Sequence, residues 1–190
     1  MTAERHEPDL GMWAKPTLPG KAVTLRPYVP RAVTDTTGDP ADADAVWEMV
    51  NDAEGNDLTA TRTTFAREQI EQWVDTRATA PDRLDLVVVE KATGDFAGEV
   101  VLNEYDVDRR SANFRIALRG PRWYGRGLGT EAAQVLLTHA FTDLQLNQVT
   151  LDVLERNTRA RASYATLGFT ETDRYEEDGE SWITMALARR

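Results

Sequence analysis

The chain has no cysteine. Disulfides, thiolate nucleophiles and cysteine-ligated metals are thereby excluded, and a reducing compartment is compatible with that lack. Histidine is nearly as scarce. His6 and His139 lie far apart, no run of acids has ligand spacing, and no metal site is expected. Long apolar runs are missing too, since none approaches the roughly 20 residues of a bilayer-spanning helix. The opening MTAERHEPDL carries acids and no apolar core, unlike a secretory signal. The expectation is a cytoplasmic protein with no membrane partner. Positive charge is in short supply, with 22 Lys and Arg against 32 Asp and Glu and a net −10. That balance argues against nucleic acid as a partner. It favours solubility and could draw in cationic substrates such as amines.

What is present fits one soluble domain, with 190 residues, 41% hydrophobic and 28% charged. Residues 1–20 hold Pro8, Gly11, Pro16, Pro19 and Gly20 and read as an irregular arm, leaving 21–190 as the domain. Alternation over Ala22 to Val29 predicts a first strand, and a polar loop runs on through Pro40. Ala43, Val46, Trp47 and Val50 recur at helical spacing behind Asp42, a candidate cap. A second helix is expected over Thr64 to Arg77, with Phe65, Ile70, Trp73 and Val74 as its apolar residues. Leu84 to Glu90 and Phe96 to Asn103 read as a hairpin about Thr93-Gly94-Asp95, with Ala112 to Leu118 as the next strand. A helix bearing Ala133, Leu136, Leu137, Ala140 and Leu144 follows, then a strand over Val149 to Leu154. Asn157 is placed to cap a short helix that Gly168 ends, and two last strands flank an acidic turn at Glu177 to Gly179. This order predicts an α/β domain, a single mixed and mostly antiparallel sheet flanked by helices.

The run Arg119 to Glu131, RGPRWYGRGLGTE, holds the chemistry. Gly125, Gly127 and Gly129 alternate just before an amphipathic helix begins. A helix N-terminus offers unpaired N–H groups to an anion, and glycine lets a ligand approach the main chain. Six arginines and no acid fall between Arg109 and Thr130, so a phosphate is expected. A P-loop would need a lysine where Leu128 stands. A dinucleotide fingerprint would need a third glycine at Thr130, although Asp152 lies at about the distance of a ribose-binding acid.

A third reading is a resemblance. Arg122-Trp-Tyr-Gly125-Arg-Gly127 resembles the Arg/Gln-x-x-Gly-x-Gly/Ala signature of the GCN5-related N-acetyltransferase (GNAT) superfamily. Asn157-Thr-Arg-Ala160-Arg-Ala-Ser-Tyr164-Ala-Thr-Leu167-Gly168-Phe169 is similar to its second signature. The likeness extends over nearly the whole chain after residue 20. It is closest to the branch of ribosomal-protein N-terminal acetyltransferases and small-amine relatives. It implies a GNAT-like acyl-CoA N-acyltransferase fold, with acetyl-CoA in a splay between the fourth and fifth strands. The pyrophosphate would take N–H bonds from the glycine loop, which holds Gly125, at the backbone of Arg126, Gly127, Leu128, Gly129 and Thr130, with Arg122 and Arg126 facing it. The pantetheine would pair with Ala117 and Leu118. Asn157 would bond the cofactor or only cap its helix, and Tyr164 would donate a proton to the departing thiolate. The two early helices would form one side of the acceptor groove, with Trp47, Trp73 and Phe65 in the core or the pocket wall. The acids from Glu171 to Glu180 would form a solvated turn or help dock a cation.

The implied reaction is direct attack of an amine on the thioester, with a small molecule or a protein N-terminus as acceptor. Dimers are common among relatives of this kind. Many relatives carry a glutamate early in the fourth strand, where this chain reads Ala112-Asn-Phe-Arg115. Glu99, Glu104 or a water would then have to serve as base. The same gap motivates an alternative, a non-catalytic acyl-CoA-binding or sensing module.

Overall fold

The computed structural model describes residues 13–30 and 42–189. The strands are β1 (Leu18–Pro19), β2 (Val23–Arg26), β3 (Leu84–Glu90), β4 (Phe96–Asp106), β5 (Ser111–Leu118), β6 (Gln148–Leu154), β7 (Thr170–Glu177) and β8 (Glu180–Ala188). The helices are α1 (Asp42–Val50), α2 (Ala53–Leu58), α3 (Arg67–Arg77), α4 (Leu128–Thr142) and α5 (Thr158–Thr166), with one 3-10 turn at Pro121–Trp123. All eight strands join one sheet in the order β1-β2-β3-β4-β5-β6-β8-β7. Every neighbouring pair is antiparallel except β5 and β6.

Alternation along the strands gives the sheet two different faces. One carries Leu86, Val88, Val100, Phe114, Leu151 and Ile183 against Leu136, Leu137 and Ala140 of α4. The other carries Tyr28, Val87 and Phe96 against Val46 of α1 and Ile70 and Val74 of α3. Trp13, 3% exposed, joins the first core and meets Tyr105 edge-on at 5.8 Å. The described end of the expected arm is therefore anchored, and its Leu18–Pro19 pairs with β2. Residues 1–12 of that arm, His6 and the loop through Pro40 lie outside the described residues.

Three local expectations are corrected. The second helix starts at Arg67, not Thr64, because Ala66 is extended (ψ 152°) and the Gln69 side chain takes its N–H at 2.8 Å. Phe65 is left in the preceding loop, 38% exposed. Asp42 is a buried clamp rather than a cap. It accepts 2.8 and 2.7 Å bonds from the Arg26 guanidinium and a 2.8 Å bond from the Val29 N–H. Removing one partner of a buried pair costs far more than the pair contributes as a whole. Asp42→Ala should therefore lower unfolding stability by about 3 kcal/mol. Urea denaturation checks this, and a loss below about 1 kcal/mol, the size of a surface pair, would refute it.

Candidate functional site

β5 and β6 pair only through Ser111↔Gln148, Ala112↔Val149 and Asn113↔Thr150. Beyond that point β5 continues to Leu118 and β6 to Leu154 without pairing with each other, so the sheet opens in a wedge. The Asn147 N–H donates to the Arg110 carbonyl at 2.8 Å, and the Arg119 N–H donates to the Ala97 carbonyl at 2.9 Å. On β5 the even-numbered residues therefore turn their backbone groups toward β6 and the odd-numbered ones toward β4. Past Asn113 the alternation leaves Phe114, Ile116 and Leu118 facing the opening. Of the two backbones expected to pair with a ligand arm, Leu118 faces the wedge and Ala117 faces β4. A Cβ on Gly98 would lie 2.2 Å from the Ala117 carbonyl oxygen, so only glycine lets β4 run this close to β5.

The glycine loop borders the same opening. The 3-10 turn separates it from β5, whereas a dinucleotide fold runs its strand tightly into the loop. Gly125 (φ 68°) and Gly127 (φ 77°) are left-handed, and a Cβ at either would meet nothing within 4 Å. Gly127 opens α4, and the first intrahelical bond runs from the Glu131 N–H to its carbonyl at 3.0 Å. The N–H groups of Leu128, Gly129 and Thr130 belong to the turn that a helix leaves unpaired. A Cβ on Gly129 would lie 3.5 Å from Ile116 Cδ1 and from Leu118 Cδ1, an ordinary contact distance, so this turn lies over those two side chains of the open strand. The Glu131 carboxylate holds the Ala22 N–H at 2.7 Å and so ties the turn to the chain entering β2.

Three of the six arginines that made this stretch locally basic are paired with acids from other elements. Arg126 bonds Glu90, Arg122 reaches Asp95 at 3.0 Å, and Arg119 reaches Glu48 at 2.8 Å. Arg122 and Arg126 also flank the buried Trp123 ring, at 4.7 and 5.4 Å. An anion at this turn would thus meet mainly main-chain N–H groups, with the two guanidinium groups held beside the loop by their acids.

Across the wedge lies α5. Asn157 caps it, with Oδ1 accepting from the Ala160 N–H at 3.1 Å, while Nδ2 donates to the Leu58 carbonyl at 3.1 Å. The Tyr164 ring packs between Phe114 (6.3 Å) and Phe169 (5.9 Å), which puts it where the strands begin to part. Burial pushes its hydroxyl up to about 12.

Helix α2 gave no sequence signal, because none of its six residues is buried and no apolar stripe exists to read. It bridges the wedge. At its start, Asp52 caps it and accepts a 2.5 Å bond from the Tyr124 hydroxyl. Glu54 pairs with Arg159 at 3.1 Å, and Arg159 lies 4.4 Å over the Tyr124 ring. At its end, Asp57 pairs with Arg156 at 2.8 Å. Burial and Asp52 raise the Tyr124 hydroxyl well above its ordinary range.

The two candidate bases sit far apart. Glu99 lies opposite Ala117 on the face covered by α1 and α3, with the Tyr28 hydroxyl 2.6 Å from its Oε2. Glu104 is exposed, with φ 53°, at the irregularity between Asn103 and Asp106 near the closed end of the wedge. Asp152 accepts from the Thr184 hydroxyl at 2.6 Å. Among the described residues no group of three His, Asp or Glu is placed to hold a metal ion, and no helix is long and apolar enough to cross a membrane.

A family model for an acetyltransferase (GNAT) domain matches residues 36–170. Spermidine N(1)-acetyltransferase of Escherichia coli K12 is 35% identical over 89 residues, 47% of this chain and 47% of that protein. The chain spans about half the length of the curated relatives it matches. Among solved structures, a GNAT-family acetyltransferase from Bacillus anthracis aligns with a TM-score of 0.76 at 15% identity, over 91% of this chain and 98% of that one. Spermidine N-acetyltransferase from Vibrio cholerae, solved with CoA and spermine, aligns with a TM-score of 0.75 at 21% identity, over 88% and 96%. At these identities the structural likeness shows a shared fold.

Proposed function

The chain belongs to the acetyltransferase (GNAT) family, and from that premise we propose that it transfers an acetyl group from acetyl-CoA to a primary amine. One observation supports this most: the unpaired first turn of α4 lies beside a strand edge that β6 leaves open, with a Cβ on Gly129 placed within contact distance of the Ile116 and Leu118 side chains. Such a pairing suits a ligand with a pyrophosphate head and an amide-bearing arm. The head would take the N–H groups of Leu128, Gly129 and Thr130. The arm would pair, as an added strand does, with the backbone of Ile116 and Leu118. An open αL glycine at Gly127 leaves room for the phosphates to approach. Tyr164 stands at the apex of the wedge as the donor to the leaving sulfur.

The acceptor reading is a primary amine, with alkyl polyamines first. The spermidine-acetylating relative and the net charge of −10 both favour a cation. A protein N-terminus is the second class, as the resemblance to the ribosomal-protein branch implies. The test is free-thiol release from acetyl-CoA across polyamines, aminoglycoside-like amines, amino acids and peptide N-termini. Thiol release dependent on one class is expected. Tight acetyl-CoA binding with no transfer to any acceptor would replace this reading with the non-catalytic acyl-CoA module.

A further inference from the structure

An amine reaches the site mostly as ammonium and must lose a proton before it can attack. From Ser111 to Leu118, β5 carries no acid, so the strand lining the wedge cannot take that proton. Glu99 sits one strand away, about 4.8 Å in the plane of the sheet, at the level of Ala117. That level lies among the residues whose backbones face the opening. Its side chain is on the face that α1 and α3 cover, opposite the face packed by α4. An acceptor entering beside α1 and α3 would meet it before reaching the wedge.

The carboxylate is held in place. Tyr28 is 2% exposed, and its ring is fixed edge-on to Trp73 at 5.5 Å and tilted against Phe96 at 6.2 Å. Its hydroxyl therefore points one way, onto Glu99 Oε2 at 2.6 Å. The other charged groups around the pair come from each neighbouring element: Asp85 of β3 with its partner Arg83, Arg115 of β5, and Asp42 of α1. Burial and Asp85 raise the Glu99 carboxyl above its ordinary value, against the Tyr28 bond and the charges of Arg115 and Arg83. A carboxylate raised in this way holds a proton better at neutral pH. Glu104 shares none of this. It is exposed, beyond the β4 irregularity, near Asn103↔Asn113 where the sheet is still closed.

We propose that Glu99 is the catalytic base and that Tyr28 is the positioning residue that fixes its carboxylate; this rests on the acetyl-transfer reading above. Glu99 takes one proton from the ammonium. The freed nitrogen lone pair forms the C–N bond to the thioester carbonyl carbon, and the C–S bond breaks with its electron pair on sulfur. The Tyr164 hydroxyl passes its proton to sulfur as it receives the remaining excess proton from nitrogen, and Glu99 releases its proton to solvent. One proton appears in bulk for each amide and thiol formed.

The experiment is a pH profile of kcat/KM on the best amine for wild type, Glu99→Gln, Tyr28→Phe and Glu104→Gln. All changes are near-isosteric, and acetyl-CoA binding reports that each variant is folded. Glu99→Gln should lose roughly 100-fold and its acidic limb. Tyr28→Phe should move that limb up by about one pH unit, because the hydrogen bond that favours the charged carboxylate is gone. Glu104→Gln should match wild type. An active wild type whose profile is unchanged in Glu99→Gln overturns this proposal alone. An unmoved limb in Tyr28→Phe overturns the positioning role. A wild type that acetylates no amine overturns both this proposal and the function it rests on.

Discussion

Gly127→Asp should weaken acetyl-CoA binding by about 100-fold or more while leaving the fold nearly intact. No atom lies within 4 Å of the position a Cβ would take, so the new side chain crowds the protein nowhere. The backbone there is left-handed, at φ 77°, which costs a non-glycine residue roughly 1–2 kcal/mol and aspartate less than most. The ligand bears the larger penalty. A carboxylate at the N-cap of α4 competes for the same N–H groups and repels the phosphates they would bind. Losing even one charge-assisted bond of about 1.5–3 kcal/mol accounts for one to two powers of ten in affinity. Gly127→Ala separates the effects, since it keeps the backbone strain and omits the charge. Calorimetric titration with CoA, together with a thermal melt, reads both. An unchanged affinity in a folded Gly127→Asp protein would remove the loop from the binding site.

Much of this fold is legible along the chain because local patterns and tertiary packing agree. Leu84 to Glu90 was expected as a strand and is one to the residue, β-branched and bounded by turn residues. The Asn157 cap and the Gly168 stop depend only on near neighbours, and both are present as read. What the sequence hid depends on distant residues. The basic run from Arg109 to Thr130 looked like a charge reversal, but Glu48, Glu90 and Asp95 come from other elements to meet Arg119, Arg126 and Arg122. Helix α2 is held by ion pairs and a cap at its ends and buries no residue, so periodicity could not reveal it. Asp42 reads as a cap by position, yet Arg26 draws its carboxylate into the interior.

The site divides in the same way. The glycine loop and the tyrosine proposed for it are local signatures and were visible. The choice between Glu99 and Glu104 was not, because five positions along one strand place one glutamate beside the wedge and the other near its closed end. Strand register and the irregularity after Asn103 make that distinction, and neither is a property of a short window. The same holds for Ala117 and Leu118. Which of two adjacent backbones faces the opening is set by where β5 leaves β6, and composition carries no trace of it.

Tyr164→Phe should lower kcat by about 100-fold and leave KM for acetyl-CoA nearly unchanged. The ring is held between Phe114 and Phe169, and phenylalanine fills the same space, so packing survives. What is lost is one O–H. Burial alone raises that hydroxyl to about 12, so it stays protonated throughout the neutral and mildly basic range. The same shift makes it a weak outright acid toward a thiolate, whose parent thiol lies near 8.5. Full donation would run uphill by roughly 3.5 pKa units. The phenol therefore works best by bonding the sulfur as negative charge develops there, passing its proton only as the amide nitrogen gives one back. Two consequences separate this from an ordinary general acid. Wild-type kcat should show no basic limb attributable to Tyr164 below about pH 11, since loss of its proton begins only as pH nears 12. A substrate with a more stable leaving thiolate should narrow the gap between wild type and Tyr164→Phe. Wild-type turnover in the variant would take Tyr164 out of the mechanism. A basic limb near pH 9 that disappears in the variant would instead make it a conventional acid with an unshifted hydroxyl.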